Sequence, residues 1–324
     1  MHTGEGGDAV EFEEAAGPLR REILAHCYRM LGSAADAEDA VQETFLRAWR
    51  GFERFQGRSS VRTWLHQIAT NACLRLLEQR GRRTLPAGLG DAEPDWRPRA
   101  RPAPAETLWV GPLPLDPAEV AGVRESVRLA FIAALQHLPP RQRAVLILRD
   151  VADMPADEVA TALGTTTIAV NSALLRARDR LSRADLDPHE ITEQDNPEIK
   201  TRLRRYVEAW SRADVAALAT VLREDVTLEM PPHATWFAGR APVLGFLAAH
   251  VLSEPGRFTV RVPPRLANGL PTLGLYTGAL VPHAVQVLEP AAGGIRRIHI
   301  FLQPELFGMF GLPVSPADQP DLHS

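Results

Sequence analysis

Lysine is almost missing from this 324-residue chain: Lys200 is the only one, and arginine carries nearly all the positive charge. Guanidinium groups suit bidentate contacts with phosphates and base edges, although a GC-rich genome favours arginine just as well. Cysteine is nearly as scarce. The two present, Cys27 and Cys73, exclude a disulfide framework, no CxxC or Cys/His cluster has zinc-site spacing, and both read as small buried hydrophobes. No run of ~18 apolar residues occurs, so no membrane span and no membrane partner are expected. Met1 to Asp8 lack the basic-then-apolar order of a secretory signal, which makes the cytoplasm the expected compartment. A strong charge bias is missing too. With a net charge of −4 the chain is not coated in positive charge, so any nucleic-acid surface has to be local.

What is present fits a globular chain, with 45% hydrophobic and 23% charged residues, and the length predicts two or three domains. After an N-terminal tail (1–17), apolar residues recur at helical spacing through 18–84. Prolines at 86, 94, 98, 102, 104, 112, 114 and 117 then predict a linker over 85–117 without a core of its own. A second helical block covers 118–184, and the polar stretch 185–197 is a second linker. Helices followed by alternating or β-branched segments predict an α+β domain over 198–314, with a tail at 315–324.

In the first block, Ser33 and Asp36 form a capping signal for a helix through Trp49. Val41, Phe45, Ala48 and Trp49 share its packing arc; Asp36, Asp39, Gln42, Glu43 and Leu46 share the other, which meets solvent or a partner. The next helix, Ser60 to Gln79, is expected to bury Val61, Trp64, Leu65, Ile68, Ala72 and Leu76. Its outer arc then holds Arg62, Thr63, His66, Gln67, Thr70 and Asn71, beside an arginine cluster that includes Arg58 and Arg75. Such a surface can hold phosphates. Trp64 shares the apolar arc and reads as core, with a stacking platform for an unpaired base as the alternative.

The second block contains a short helix (Asp157 to Leu163), a break at Gly164 and a longer helix (Thr166 to Arg183) with Val170, Leu174, Ala177 and Leu181 on one face. This is a helix-turn-helix pattern, whose second helix enters the major groove. Ile168 and Leu175 lie on its outer face, an apolar pair expected to be covered by another domain when no DNA is bound. In the last domain, Asn268-Gly269 signals a hairpin, and helices before a curved sheet predict an open cone able to hold a ligand.

These strings also carry a resemblance. Ala35 to Trp49 (ADAEDAVQETFLRAW) and Arg58 to Leu74 (RSSVRTWLHQIATNACL) resemble conserved region 2 of the sigma-70 family, in its extracytoplasmic-function (ECF) group. The run from Leu138 to Leu181, beginning LPPRQRAVLILRDVADMP and ending AVNSALLRARDRL, resembles sigma region 4. RYVEAWSRADVAALATVLREDVTLEMPP and WFAGR (Trp236 to Arg240) resemble the SnoaL-like domain. The implied architecture is two all-α modules and a C-terminal α+β cone.

The resemblance implies a sigma factor that binds core RNA polymerase and directs promoter-specific initiation, without being an enzyme and without a cofactor. Asp39, Gln42, Glu43 and Leu46 would dock on the β′ clamp helices. Gln56, Arg58, Ser59 and Ser60 would read the melted −10 element, with Arg62, Thr63, His66, Gln67, Asn71 and Arg75 touching the strand. Thr166, Thr167, Asn171, Ser172, Arg176, Arg178 and Arg180 would read the −35 duplex, and the same module would touch the β flap. Many ECF members carry basic residues where this chain has Asn171 and Ala173, so its readout is expected to be less electrostatic.

The cone would regulate in cis, in place of a separate anti-sigma factor. A small-molecule effector would be lined by His233, Trp236 and Phe237. Asp225, His233, His283 and His299 offer the residue types of an acid/base set, but a lone histidine is most often structural, so the sequence assigns no catalytic residue and no metal site. Two other readings stay open: a ligand-responsive duplex-binding regulator that needs no polymerase, and an enzyme fused to a DNA-binding module.

Overall fold

The computed structural model describes residues 5–57, 59–122, 127–183 and 197–315. Arg58, all but the last residue of the second linker, and the C-terminal tail beyond Ser315 lie outside the described residues. The chain divides into two compact units. One comprises 1–83, 110–112 and 125–186; the other comprises 84–109, 113–124 and 187–324.

The first unit is helical: α1 (Glu5–Ala16), α2 (Arg20–Leu31), α3 (Ala34–Gly51), α4 (Val61–Gln79), α5 (Leu129–Gln136), α6 (Pro140–Leu146), α7 (Ala156–Ala162) and α8 (Thr167–Leu181). Part of the expected N-terminal tail is therefore helix. Phe12 explains why: it is buried, with its ring edge-on to Phe45 (6.2 Å), Trp49 (5.5 Å) and Phe52 (5.3 Å). Gly32 ends α2 in the left-handed region at φ 69°, and the Ser33 hydroxyl accepts from the Asp36 N–H (3.3 Å) to begin α3. Ala37, Ala40, Val41, Thr44 and Ala48 form the buried stripe of α3.

Helix α4 buries a different arc from the one its apolar pattern predicts. Leu65, His66, Ala69, Thr70, Ala72 and Cys73 are inside, whereas Val61, Trp64, Ile68 and Leu76 are half-buried. The helix presents small and hydrogen-bonding residues inward because they meet partners there. His26 Nε2 and Thr70 Oγ1 are 2.9 Å apart, and the rings of His26 and His66 pack edge-on at 4.8 Å. Burial holds the His26 imidazole well below its ordinary pKa, so it packs as a neutral ring.

The two helical modules, expected on either side of a linker, pack into this one unit. Arg143 of α6 is 2% exposed and satisfies four oxygens: the Gln136 Oε1 (2.6 Å), the carbonyls of Gln136 (3.1 Å) and Leu138 (3.2 Å), and the Met30 carbonyl of α2. It ties the second module to the first through groups that burial would otherwise leave unpaired.

The second unit holds α9 (Pro197–Ser211), α10 (Val215–Val221), α11 (Arg240–Phe246), α12 (Leu306–Met309) and a six-stranded sheet. Its strands are β1 (Leu222–Glu229), β2 (Trp236–Ala238), β3 (Phe258–Arg261), β4 (Thr272–Thr277), β5 (Val281–Ala291) and β6 (Gly294–Phe301), in spatial order β2-β1-β6-β5-β4-β3. Only the β6–β1 pair in this sheet is parallel. Tyr206, Trp210, Leu228, Phe237, Phe246, Leu288 and Ile298 belong to the core between helices and sheet. Asn268 and Gly269 both have positive φ (55° and 69°), as the turn signal requires.

The proline-rich segment is not a bare tether. Its peptide groups, which its own sequence cannot pair, are satisfied by the cone. The N–H groups of Ala87, Glu93, Arg101 and Ala103 donate to Glu229 Oε1 (2.9 Å), the Trp236 carbonyl (2.8 Å), Thr235 Oγ1 (2.8 Å) and the Pro232 carbonyl (3.1 Å). Further on, Pro114–Leu115 pairs with Leu266–Ala267 as a two-stranded sheet, and the Leu113 N–H donates to Asn268 Oδ1 (2.9 Å).

Candidate functional site

Three surfaces are built from the residues singled out in the sequence. On α3, Asp39 and Gln42 are exposed and Leu46 is 50% exposed, so an acidic and apolar strip faces outward. Glu43 is half-buried beside Arg47 and Arg75, the latter at 3.4 Å. Asp36 shares the acidic arc but is engaged by Arg80 and Arg83; burial pushes its pKa up, and the two guanidinium groups bring it below the ordinary value.

The second surface is the N-terminal part of α4. The Ser60 hydroxyl caps the helix by accepting from the Thr63 N–H (3.0 Å); Gln56 is exposed and Ser59 half-buried. Arg62 donates to Glu22 Oε1 (2.7 Å) and to the Ala152 carbonyl (2.8 Å), while Thr63 Oγ1 donates to Glu158 Oε2 (2.7 Å). Two expected strand contacts are thus held by the second helical module. His66 departs from its expected place on the outer arc. It is 1% exposed, and because a carboxylate only accepts, its Nε2 donates to Glu22 Oε1 (2.8 Å). The hydrogen bonds from His66 and Arg62 lower the Glu22 pKa to about 2 against the pull of burial.

Farther along α4, Trp64, Asn71 and Arg75 line an open groove of about 800 Å³ with Arg47 and Pro140; Gln67 is half-buried. Trp64 is accordingly not simple core. One side packs on Phe55 (4.8 Å between ring centroids), and the residue also borders a groove with five polar neighbours, Arg47, Asn71, Arg75, Glu78 and Arg141, the kind of surface a stacking platform needs. Sequence reasoning missed Glu22, Arg47 and Glu158. Arg47, in the first string, and Glu158, in the short helix of the helix-turn-helix pattern, lay within motifs, whereas Glu22 did not.

The third surface is the outer arc of α8. Thr166 caps it by accepting from the Ala169 N–H (3.2 Å), and Thr167, Asn171, Ser172 and Arg176 are exposed. Ile168 and Leu175 are 78% and 72% exposed, so nothing described within their own unit covers them. Arg178 makes a paired contact with Asp150 (2.9 and 2.6 Å), and Arg180 donates to Gln142 Oε1 (2.9 Å). These two arginines point back to their own module.

In the cone, a cavity of about 650 Å³ is bordered by His233, as expected, but neither Trp236 nor Phe237 lines it. Alternation along β2 accounts for this. Phe237 is fully buried against Phe246 (4.6 Å), whereas the Trp236 indole N–H donates to the Gly90 carbonyl of the linker (2.8 Å). The weighed acid/base set is dispersed. Asp225 pairs with Arg223 (2.7 Å) away from the cavity, and His299 is buried with its Nδ1 3.0 Å from Glu229 Oε2; only His233 and His283 border the cavity. Burial, then the neighbouring Arg257, lowers the His283 pKa. Among the described residues no group of three or more metal-ligating side chains is assembled, and no helix is long and apolar enough to cross a membrane.

Three segments of the chain match models of known families. Residues 17–83 match the model of Sigma-70 region 2, residues 128–181 that of Sigma-70, region 4, and residues 203–280 that of the SnoaL-like domain. The chain is 45% identical over 325 residues to the ECF RNA polymerase sigma factor SigG of Mycobacterium tuberculosis, covering 94% of this chain and 85% of the relative. It is 28% identical to the ECF RNA polymerase sigma factor SigJ of the same organism, over 84% of this chain and 82% of that one. The crystal structure of Mycobacterium tuberculosis SigJ superposes with a TM-score of 0.59 at 23% identity, covering 95% of this chain and all of that one, a likeness of fold.

Proposed function

The chain belongs to the ECF group of RNA polymerase sigma factors, and we propose that its three surfaces divide the work of initiation as follows. The outward strip of α3, with Asp39, Gln42 and Leu46, docks on core polymerase, where an acidic rim steers association and the exposed leucine supplies apolar contact. The outer arc of α8 enters the major groove of the −35 duplex. Asn171 offers a bidentate amide to an adenine edge, and Ile168 and Leu175 are suited to thymine methyl groups. Readout on this arc is therefore more apolar than ionic, and Arg176 supplies its phosphate contact.

The −10 step belongs to the N-terminal turns of α4, with Trp64 as stacking platform and Asn71 and Arg75 along the groove. Arg58, assigned to the same step from the sequence, lies outside the described residues. The observation that carries this reading is the hydrogen bond from Thr63 to the Glu158 carboxylate together with that from Arg62 to the Ala152 carbonyl. Acceptor oxygens of the second module hold the donors that phosphate oxygens of a melted strand would take. The described arrangement is closed, and promoter opening exchanges one set of acceptors for the other. No catalytic role is assigned to the cone, because Asp225 lies outside its cavity.

Regulation in cis follows from the linker. The segment that links the two DNA-reading modules in sequence docks on the cone, and this docking supports the reading. Run-off transcription with core polymerase and a promoter library tests the reading. Initiation that requires the intact chain and is lost in Asp39→Arg supports it; initiation indifferent to Asp39 removes the α3 assignment.

A further inference from the structure

The cone cavity is left unused by the three surfaces above. Its inner wall is apolar, with Met230, Phe246, Phe258, Leu275 and Ile300. Trp210 also lines it, is 1% exposed, and its indole N–H has no hydrogen-bond partner among the described residues. Buried donors are almost always satisfied in folded proteins, so this one is suited to an acceptor that enters with a ligand. Its rim carries two guanidinium groups and one carboxylate. Arg99, Arg257 and three histidines stand against Glu254, and the Arg257 guanidinium is 5.3 Å from the centroid of the Phe258 ring.

One wall comes from the linker. Arg99 and Ala100 border the cavity, His250 Nε2 donates to the carbonyls of Arg97 (2.9 Å) and Trp96 (3.2 Å), and Pro102 pairs with His233. The Trp96 ring lies so close to Gly245 that a Cβ there would meet it at 2.6 Å, so this glycine permits the linker to seat. Anything held in the cavity touches both the cone and the segment that joins the two DNA-reading modules.

We propose that this cavity binds an apolar, ring-bearing carboxylic acid with a second oxygen acceptor, its carboxylate at Arg257 and Arg99 and its other oxygen at the Trp210 N–H. Occupancy holds the linker on the cone, because the ligand binds only where the linker completes the wall. The regulatory consequence rests on the sigma-factor reading; the binding does not. A volume of about 650 Å³ is in the range that takes a multi-ring molecule.

The test uses the intact chain with 6-hydroxy-2-naphthoate, its methyl ester and 2-naphthoate, followed by calorimetry and by hydrogen exchange of the linker amides. The acid is expected to bind one molecule per chain, the ester at least about tenfold more weakly, and 2-naphthoate between them. Arg257→Ala, an exposed position, should erase the advantage of acid over ester, and exchange at Glu93, Arg101 and Ala103 should slow when the acid is bound. Equal binding of acid and ester, an unchanged ratio in Arg257→Ala, or no binding at millimolar acid overturns the proposal. Trp210→Phe, which keeps the ring and removes the donor, should make the hydroxy acid and 2-naphthoate equivalent; a retained preference contradicts the role of Trp210. Polymerase-dependent transcription by the ligand-free chain is measured on the same sample, so failure of the sigma reading is seen separately.

Discussion

The two DNA faces differ in what already occupies them. On α4, Arg62 and Thr63 are bonded to Ala152 and Glu158 of the other module, and His66 is buried on Glu22. On α8, the arc from Thr167 through Ile168, Asn171, Ser172 and Arg176 is exposed. On the proposed assignment, duplex readout is pre-formed in this arrangement and strand capture is withheld. Release of the second module would free the Thr63 hydroxyl and one of the Arg62 contacts, so the proposal ties the strength of that internal contact to promoter opening.

The comparison collapses if the modules are separated, and Arg143→Met should do so most strongly. The variant leaves buried carbonyls of Met30, Gln136 and Leu138 short of a donor, and we expect a loss of about 3–5 kcal/mol in chemical denaturation. An unchanged midpoint would mean that the modules are not tied at this arginine. Acid weakens the α2–α4 contact inside the first module by a smaller amount. Glu22 has a folded pKa of about 2 against an ordinary 4.5, so its contribution is complete above pH 4.5 and is lost as pH falls towards 2. Because its side chain is about one-third exposed, solvent screening reduces this to roughly 1–2 kcal/mol. Glu22→Gln should flatten that limb of the stability profile; an identical acid limb would contradict the assignment.

Two gentler changes sharpen the contrast. Glu158→Gln weakens only the acceptor on Thr63, and should raise open-complex formation about fivefold, the effect of about 1 kcal/mol, with −35 affinity unchanged. Ile168→Ala should do the reverse, lowering duplex affinity about threefold and abolishing the penalty for replacing a −35 thymine by uracil, which lacks the methyl group. A thymine preference that survives Ile168→Ala would show that another group reads the methyl.

How far the sequence was readable follows the reach of the interactions. The caps at Ser33 and Thr166, the helix pair around Gly164 and the Asn268-Gly269 turn are local signals, and each appears where local chemistry places it. The inner face of α4 is not local: His66 and Thr70 look like surface residues until Glu22 and His26 arrive from another helix. The linker reads as unstructured because its prolines are visible, whereas its acceptors on Glu229, Thr235 and Trp236 lie more than 100 residues away. Trp236 and Phe237 are both expected at the cavity and neither lines it; a strand of three residues is too short to show its alternation. A cone mouth with His233 was expected; Trp210 lies in the RYVEAW string but reads there as core, and Arg257 comes from a loop with no motif.

Open-complex formation measured by permanganate reactivity of −10 thymines, with core polymerase and the intact chain, tests the closed state of α4 most directly. Glu158→Gln should increase the reactive fraction while leaving −35 duplex binding as it is in the unaltered chain. Equal reactivity in the two proteins, or a parallel change in both steps, would contradict the claim that the Thr63–Glu158 contact withholds the strand-binding face.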